Sequence, residues 1–193
     1  MELHALIPVK SLRLAKSRLA EKFSESERSK LVLSMLDHVL ETLQSCREIK
    51  KIIVVTPDEL VQRHVLELGF YISTEEKPGH NPALTSAAQK EEDNRKLLTI
   101  SADLPLITQE DIHKMITLSL THDVVLAAAK DNGTNALLLA KPLLLPYLFG
   151  KNSLEKYKNA ATDLGLTVAM YQSNTMAFDV DTIADVETFR HSS

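Results

Sequence analysis

Asp179 and Asp181, in the stretch MAFDVDTIAD, stand two residues apart. On an extended backbone both carboxylates point to one face, roughly 6.6 Å apart by strand rise alone. Two like charges so placed cost stability unless something positive sits beside them. A third acid, Asp103 in TISADLPLI, directly follows an apolar strand pattern, where open α/β sheets bind their ligands. Three acidic groups at strand ends suit a divalent cation with oxygen ligands. The competing readings are local: an Asp after a strand often caps the next turn, and Asp181 precedes a Thr182/Asp185 capping box.

Basic and anion-binding features stand elsewhere in the chain. PVKSLRLAKSRLAEKF gathers Lys10, Arg13, Lys16 and Arg18 in one short segment, which reads either as a solvated amphipathic stretch or as a polyphosphate clamp. In LFGKNSLEKYKNA, Gly150 comes just before a helix that Asn152 or Ser153 is placed to cap, and a helix N-terminus favours phosphate or carboxylate. Ordinary capping accounts for the same pattern. Thr134 follows an Asn132/Gly133 turn and offers a hydroxyl at a hairpin end, where most threonines satisfy local backbone. The seven histidines show no HExxH-type spacing and read as surface or core residues.

The elements that must position these groups alternate in type. LHALIPV, KKIIVVT, FYIS, KLLTIS and DVVLAAA are apolar runs of strand length, most of them suited to burial on both faces. Between them, FSESERSKLVLSMLDHVLETLQ has a Ser24/Glu27 capping box and an apolar stripe of Val32, Leu36, Val39 and Leu43. A second helix starts at Pro57 and Asp58 and stops at Gly69. Further helices are predicted over Pro82 to Asp93, Thr108 to Leu118 and Asn152 to Leu164. Such alternation predicts an α/β domain with a mostly parallel sheet, and the Asn132/Gly133 turn adds an antiparallel pair. The expected fold is one domain over residues 1–193, a mixed sheet flanked by helices.

Composition excludes several function classes. The chain has 193 residues, 22 Lys and Arg against 26 Asp and Glu, and a formal net charge of −4, so nothing draws it to nucleic acid or an anionic membrane. Cys46 is the single cysteine, which rules out an internal disulfide or a cysteine-based zinc site and fits a reducing, cytoplasmic setting. MELHALIPVK lacks the pattern of a secretory leader, and the most apolar window is interrupted by Lys141 and two prolines. No glycine occurs before Gly69, so neither a P-loop nor a dinucleotide fingerprint follows the first strand.

IPVKSLRLAKSRLA, PGHNPALTSA, SADLPLI, KDNGTNALLL, FGKNSLEKYKNAA and FDVDTIADV, in this order and spread over nearly the whole chain, resemble the 2-phospho-L-lactate guanylyltransferase family of coenzyme F420 biosynthesis. That family is similar to molybdenum-cofactor guanylyltransferases and other nucleotidyltransferases with a glycosyltransferase-A-like sheet, with a basic loop in place of their Gly-rich first loop. The resemblance implies that GTP and a small phosphorylated carboxylic acid are the substrates, and that Asp103, Asp179 and Asp181 hold Mg2+. It further implies that Thr134, Gly150 and Ser153 contact the acid. Lys10, also a catalytic candidate, and Lys16 would face the nucleotide phosphates, with Asn81 near the nucleotide. His80 and Pro82 depart from the family pattern in that block. Other acids remain open, among them phosphoenolpyruvate and 3-phosphoglycerate, as do a sugar phosphate substrate and a non-catalytic nucleotide-binding role. A homodimer is expected from an exposed late hairpin.

Overall fold

In the computed structural model, which describes residues 2–74, 79–91 and 95–192, the five apolar runs are strands and the sheet is mixed. The strands are β1 (Leu3–Pro8), β2 (Ile49–Thr56), β3 (Tyr71–Thr74), β4 (Lys96–Ile100), β5 (Val124–Ala128), β6 (Thr134–Leu139) and β7 (Val168–Tyr171). They lie in the order β3-β2-β1-β4-β6-β5-β7, and β6 alone runs against its neighbours. Strand alternation sorts the side chains between two cores. Leu3, Ala5 and Ile7 of β1 face one, with Leu98, Ile100, Ala136 and Leu138, while Leu6, Leu97, Leu137 and Leu139 face the other.

Helices cover both faces. The first core is closed by α1 (Glu25–Gln44), α2 (Glu59–Glu67) and α4 (Gln109–Leu118), through residues such as Leu36, Val61 and Ile112. The second is closed by α3 (His80–Ala88) and α5 (Ser153–Asp163), through Leu84 and Tyr157. Two short C-terminal helices, α6 (Asn174–Ala177) and α7 (Ile183–Ser192), complete the chain. The Ser24/Glu27 and Thr108/Asp111 capping boxes both form, and Asp58 caps α2. Among the described residues no helix is long and apolar enough to cross a membrane.

Several expectations are corrected. Helix α3 starts two residues before Pro82, because first-turn N–H groups have no intrahelical acceptor and a proline there loses nothing; it ends at Ala88, and Asp93 lies outside the described residues. Asn132 is left-handed at φ 62° but Gly133 is not. The loop spans five residues, closed by Ala129 N–H on the Gly133 carbonyl and tightened by Gly133 N–H on Asp131 Oδ1, 2.9 Å. The strands of the β5–β6 hairpin are buried inside the sheet, and only its turn, at Lys130, Asp131 and Asn132, is exposed. Residues 178–181 are not a strand, and β7 was not expected at all.

The chain leaves β1, builds β2 and β3 on one side, then returns to build β4 on the other. This makes the β1/β4 boundary a topological switch point, where the loops after neighbouring strands part and open a crevice.

Candidate active site

A cavity of about 390 Å³ occupies that crevice. Lys10, Lys16, Ser17 and Arg18 line it from the loop after β1, Ser101, Ala102 and Asp103 from the end of β4, and His80 and Asp181 from the start of α3 and the C-terminal segment. A second, more apolar cavity of about 250 Å³ adjoins it, lined by Ser11, Val55, Pro57, Gly79 and Ala83 and sharing Pro8, Val9, Lys10, Leu14 and His80.

The basic segment is a run of turns ending in a short 3-10 turn at Ser17–Leu19, not an amphipathic helix. Asp58 pins it: while its carboxylate caps α2, it also accepts from Leu12 N–H at 2.8 Å and Ser11 Oγ at 3.2 Å. Lys16 takes a left-handed backbone, φ 50°, that turns its side chain inward. There its ammonium contacts Asp103 and donates to Asp181 Oδ1 at 2.8 Å. Burial pulls the Lys16 pKa down, but Asp103 and Asp181 more than offset it, so the ammonium is held above its ordinary range. Lys10 is exposed and forms no ion pair among the described residues.

The positive charge beside the acids is therefore lysine. Asp181 is held by Lys16, with Arg18 at 3.8 Å, and Asp179 lies 3.8 Å from Lys130. Lys130 also pairs with Asp185 and lies over the Phe178 ring. The Thr182/Asp185 capping box forms too, and Asp181 N–H donates to Asp185, so Asp181 serves both the cluster and the helix start. Burial first, then the charges of Asp103 and Asp181, push the Asp179 carboxyl up to about 6. Among the described residues no three acidic, histidine or cysteine side chains close on one point in the manner of a metal cage. The donor chemistry nevertheless fits a hard divalent cation, since Asp103, Asp179 and Asp181 offer carboxylate oxygens, and the charges of Asp103 and Asp181 weigh on Asp179 in addition to its burial.

The anion-binding features sit at the same end of the sheet. Ser101 N–H donates to the Asn135 carbonyl at 2.8 Å, and Val180 N–H to the Asp103 carbonyl at 3.3 Å, which brings β4, β6 and the C-terminal segment together. Asn135 Nδ2 donates to the Met176 carbonyl and fixes α6 in front of the acids. Ser153 Oγ donates to Thr134 Oγ1 at 3.0 Å, both residues buried. Neither expected cap forms at α5. Asn152 is left-handed, φ 56°, with no side-chain cap, and Ser153 is turned toward Thr134 instead. Gly150, at φ 122°, makes the turn that only glycine takes readily, and nothing lies within 4 Å of where its Cβ would stand. Thr134, Gly150, Ser153 and Asp179 do not line the cavity around Lys16.

Asn81, expected near the nucleotide, pairs its carboxamide with the Phe149 backbone and is not among the residues that line the cavity. The residue of that block that reaches the cavity is His80, read from the sequence as ordinary surface or core. Burial, then Lys10, lower its pKa to about 4, leaving a neutral imidazole. His80 was findable only from its place beside Gly79, at a helix start near the strand ends. Lys130, in the loop before β6, opens the KDNGTNALLL block, but no spacing in the sequence ties it to Asp179 or Asp185.

Residues 3–193 match the family described as Guanylyl transferase CofC like. The chain belongs to this family. It is 36% identical to a phosphoenolpyruvate guanylyltransferase of Sphaerobacter thermophilus over 95% of this chain and 90% of that one. It is 34% identical to a 2-phospho-L-lactate guanylyltransferase of Methanothermobacter thermautotrophicus, over 96% and 83%. A 3-phospho-D-glycerate guanylyltransferase of Phenylobacterium zucineum is 32% identical, over 92% and 84%. Among solved structures, a nucleotide-diphospho-sugar transferase from Desulfovibrio desulfuricans G20 superposes with a TM-score of 0.81 at 17% identity, covering 100% of this chain and 88% of that one. A 4-diphosphocytidyl-2C-methyl-D-erythritol synthase gives 0.68 at 13%, covering 98% of each. The CofC-like chain thus has the nucleotidyltransferase fold, as expected from its sequence.

Proposed function

We propose that this guanylyltransferase joins GMP from GTP to a three-carbon acid bearing a phosphate, with release of pyrophosphate, as a step of coenzyme F420 biosynthesis. The observation that carries the reading is one cavity at the β1/β4 switch point lined by Lys10 and Lys16 on one side and by Asp103 and Asp181 on the other. Lysines there suit a triphosphate, and the adjoining apolar cavity suits a nucleobase.

A phosphate oxygen of the acid forms the new bond to the α-phosphorus of GTP as the bond to the bridging oxygen breaks, and pyrophosphate leaves with that electron pair. Both partners are anions, so positioning and charge neutralisation carry the rate. Lys10 meets the nucleotide phosphates, and Lys16, held by Asp103 and Asp181, presents a fixed positive charge in a partly dry site. Magnesium, held by Asp103, Asp179 and Asp181, would supply further neutralisation of the polyphosphate. Thr134, Gly150 and Ser153 receive the acid at the uncapped start of α5. The attacking phosphate is already ionised near pH 7, so no general base is required.

The sequence blocks point to 2-phospho-L-lactate as the acid. Phosphoenolpyruvate, which places carboxylate and phosphate on the same carbon skeleton, is the second reading, favoured by the relative at 36% identity. Pyrophosphate release is to be measured with GTP, ATP and CTP against 2-phospho-L-lactate, phosphoenolpyruvate and 3-phosphoglycerate. Release with GTP and one of the first two acids is expected, abolished by a chelator. A folded protein that releases none with any pair overturns the reading.

A further inference from the structure

The Asn81 carboxamide and the Phe149 peptide form a closed two-bond pair across 68 residues of chain. Asn81 Nδ2 donates to the Phe149 carbonyl at 3.1 Å, and Phe149 N–H donates to Asn81 Oδ1 at 3.1 Å. We propose that Asn81 is a positioning residue for the acid, holding the turn at Phe149 and Gly150 that leads into α5. The assignment rests on the guanylyltransferase reading and concerns its acid subsite.

Side chains already fix the Phe149 ring. It packs edge-on against His80 and Tyr157, each 5.5 Å between centroids, and stacks on Tyr147 at 6.0 Å. Packing of this kind leaves the peptide free to rock about the ring, and a peptide is set by hydrogen bonds. Leu148 N–H donates to Tyr157 Oη at 2.9 Å, and Asn81 takes both polar groups of the next residue. Gly150 follows directly with φ 122°, and its carbonyl accepts from Ser153 N–H at 3.0 Å. That bond ties the Phe149–Gly150 turn to the first residue of α5, whose hydroxyl meets Thr134, so the placement of the turn bears on the placement of Ser153. This arrangement engages both ends of the carboxamide, and Asn81 is not among the residues that line the two cavities, whereas His80 lines both. Two consecutive residues of α3 then serve different substrates, His80 lining the nucleotide side and Asn81 shaping the acid side.

The test compares the wild-type chain with Asn81→Ala and with Asn81→Asp, which keeps the size and can keep one bond. Two readouts are taken: the KM for each substrate from pyrophosphate release, and hydrogen–deuterium exchange over residues 148–154. Loss of two uncharged hydrogen bonds should raise the KM for the acid about tenfold in the alanine variant. The nucleotide KM should barely move, exchange over 148–154 should quicken, and the Asp variant should change in the same direction. A nucleotide KM that rises more than that of the acid overturns the assignment. So does a lower melting temperature with both KM values unchanged, which is what a merely structural clamp gives, or unchanged exchange in that segment. Should the wild-type chain turn over no acid, the guanylyltransferase reading fails with the acid role, and the exchange arm alone decides whether the clamp exists.

Discussion

Lys16 Nζ lies between Asp103 and Asp181, donating to the latter at 2.8 Å, so one ammonium joins the loop after β1, the end of β4 and the C-terminal segment. Replacing it with Met leaves the stem but removes the charge. Turnover should fall by two orders of magnitude or more, roughly the loss of one preorganised electrostatic contact. The melting temperature in chelator should drop, because the acids lose their counter-charge, and added magnesium should restore more of it than in the wild type. Thermal unfolding with and without magnesium checks this. Unchanged metal-free stability would show that the Lys16 contacts carry nothing.

Asp179 offers a pH test with a defined sign. Its carboxyl is pushed up to about 6, above the ordinary value, so between about 4 and 6 the folded state binds more protons than the unfolded one and stability falls as pH rises. The linkage is at most about 3 kcal/mol above pH 6, less what solvent screens. Asp179→Asn should therefore melt higher than the wild type at pH 7 in chelator and level with it at pH 4. Turnover with magnesium should fall about a hundredfold. Equal melting at both pH values would mean that neither burial nor the neighbouring acids penalise the Asp179 carboxylate.

Much of this arrangement was legible in the sequence, and for identifiable reasons. Strand runs such as IIVVT and caps such as Ser24 and Asp58 are local signals, and the sheet follows from them. The acids were visible because Asp103 follows an apolar strand directly. What sequence cannot carry is direction. The inward turn of Lys16 depends on a left-handed backbone at a non-glycine residue, and the pairing of Asn81 with Phe149 spans two elements far apart in the chain. The local signals at Ser153 and Thr134 are a helix start and a hairpin end, whereas their hydroxyls satisfy one another across 19 residues.

Asp58 links a helix cap to the basic loop through one carboxylate. Asp58→Ala should lower stability by about 1 to 2 kcal/mol from the lost cap. It should also raise the KM for the nucleotide, since Leu12 N–H and Ser11 lose their acceptor and the loop bearing Lys10 and Lys16 loosens. Denaturant unfolding with steady-state kinetics separates the two effects. A stability loss with an unchanged nucleotide KM would confine Asp58 to capping α2.

Ser153 and Thr134 share one hydrogen bond of 3.0 Å in a buried position, and the bond can serve folding or the acid. If it serves the acid, each hydroxyl keeps a second interaction for the charged ligand, worth roughly 1.5 to 3 kcal/mol. Ser153→Ala and Thr134→Val should then each raise the KM for the acid at least tenfold, on that scale, with the nucleotide KM nearly constant. The double variant should cost less than the sum, because each single change also strips the other hydroxyl of its partner. Helix capping does not enter this comparison, since α5 has no side-chain cap to lose. A double-mutant cycle run on both KM values and on the melting temperature decides the case. Equal effects on the two substrates, or a coupling seen in stability alone, would assign the pair to the fold and leave the acid to other residues.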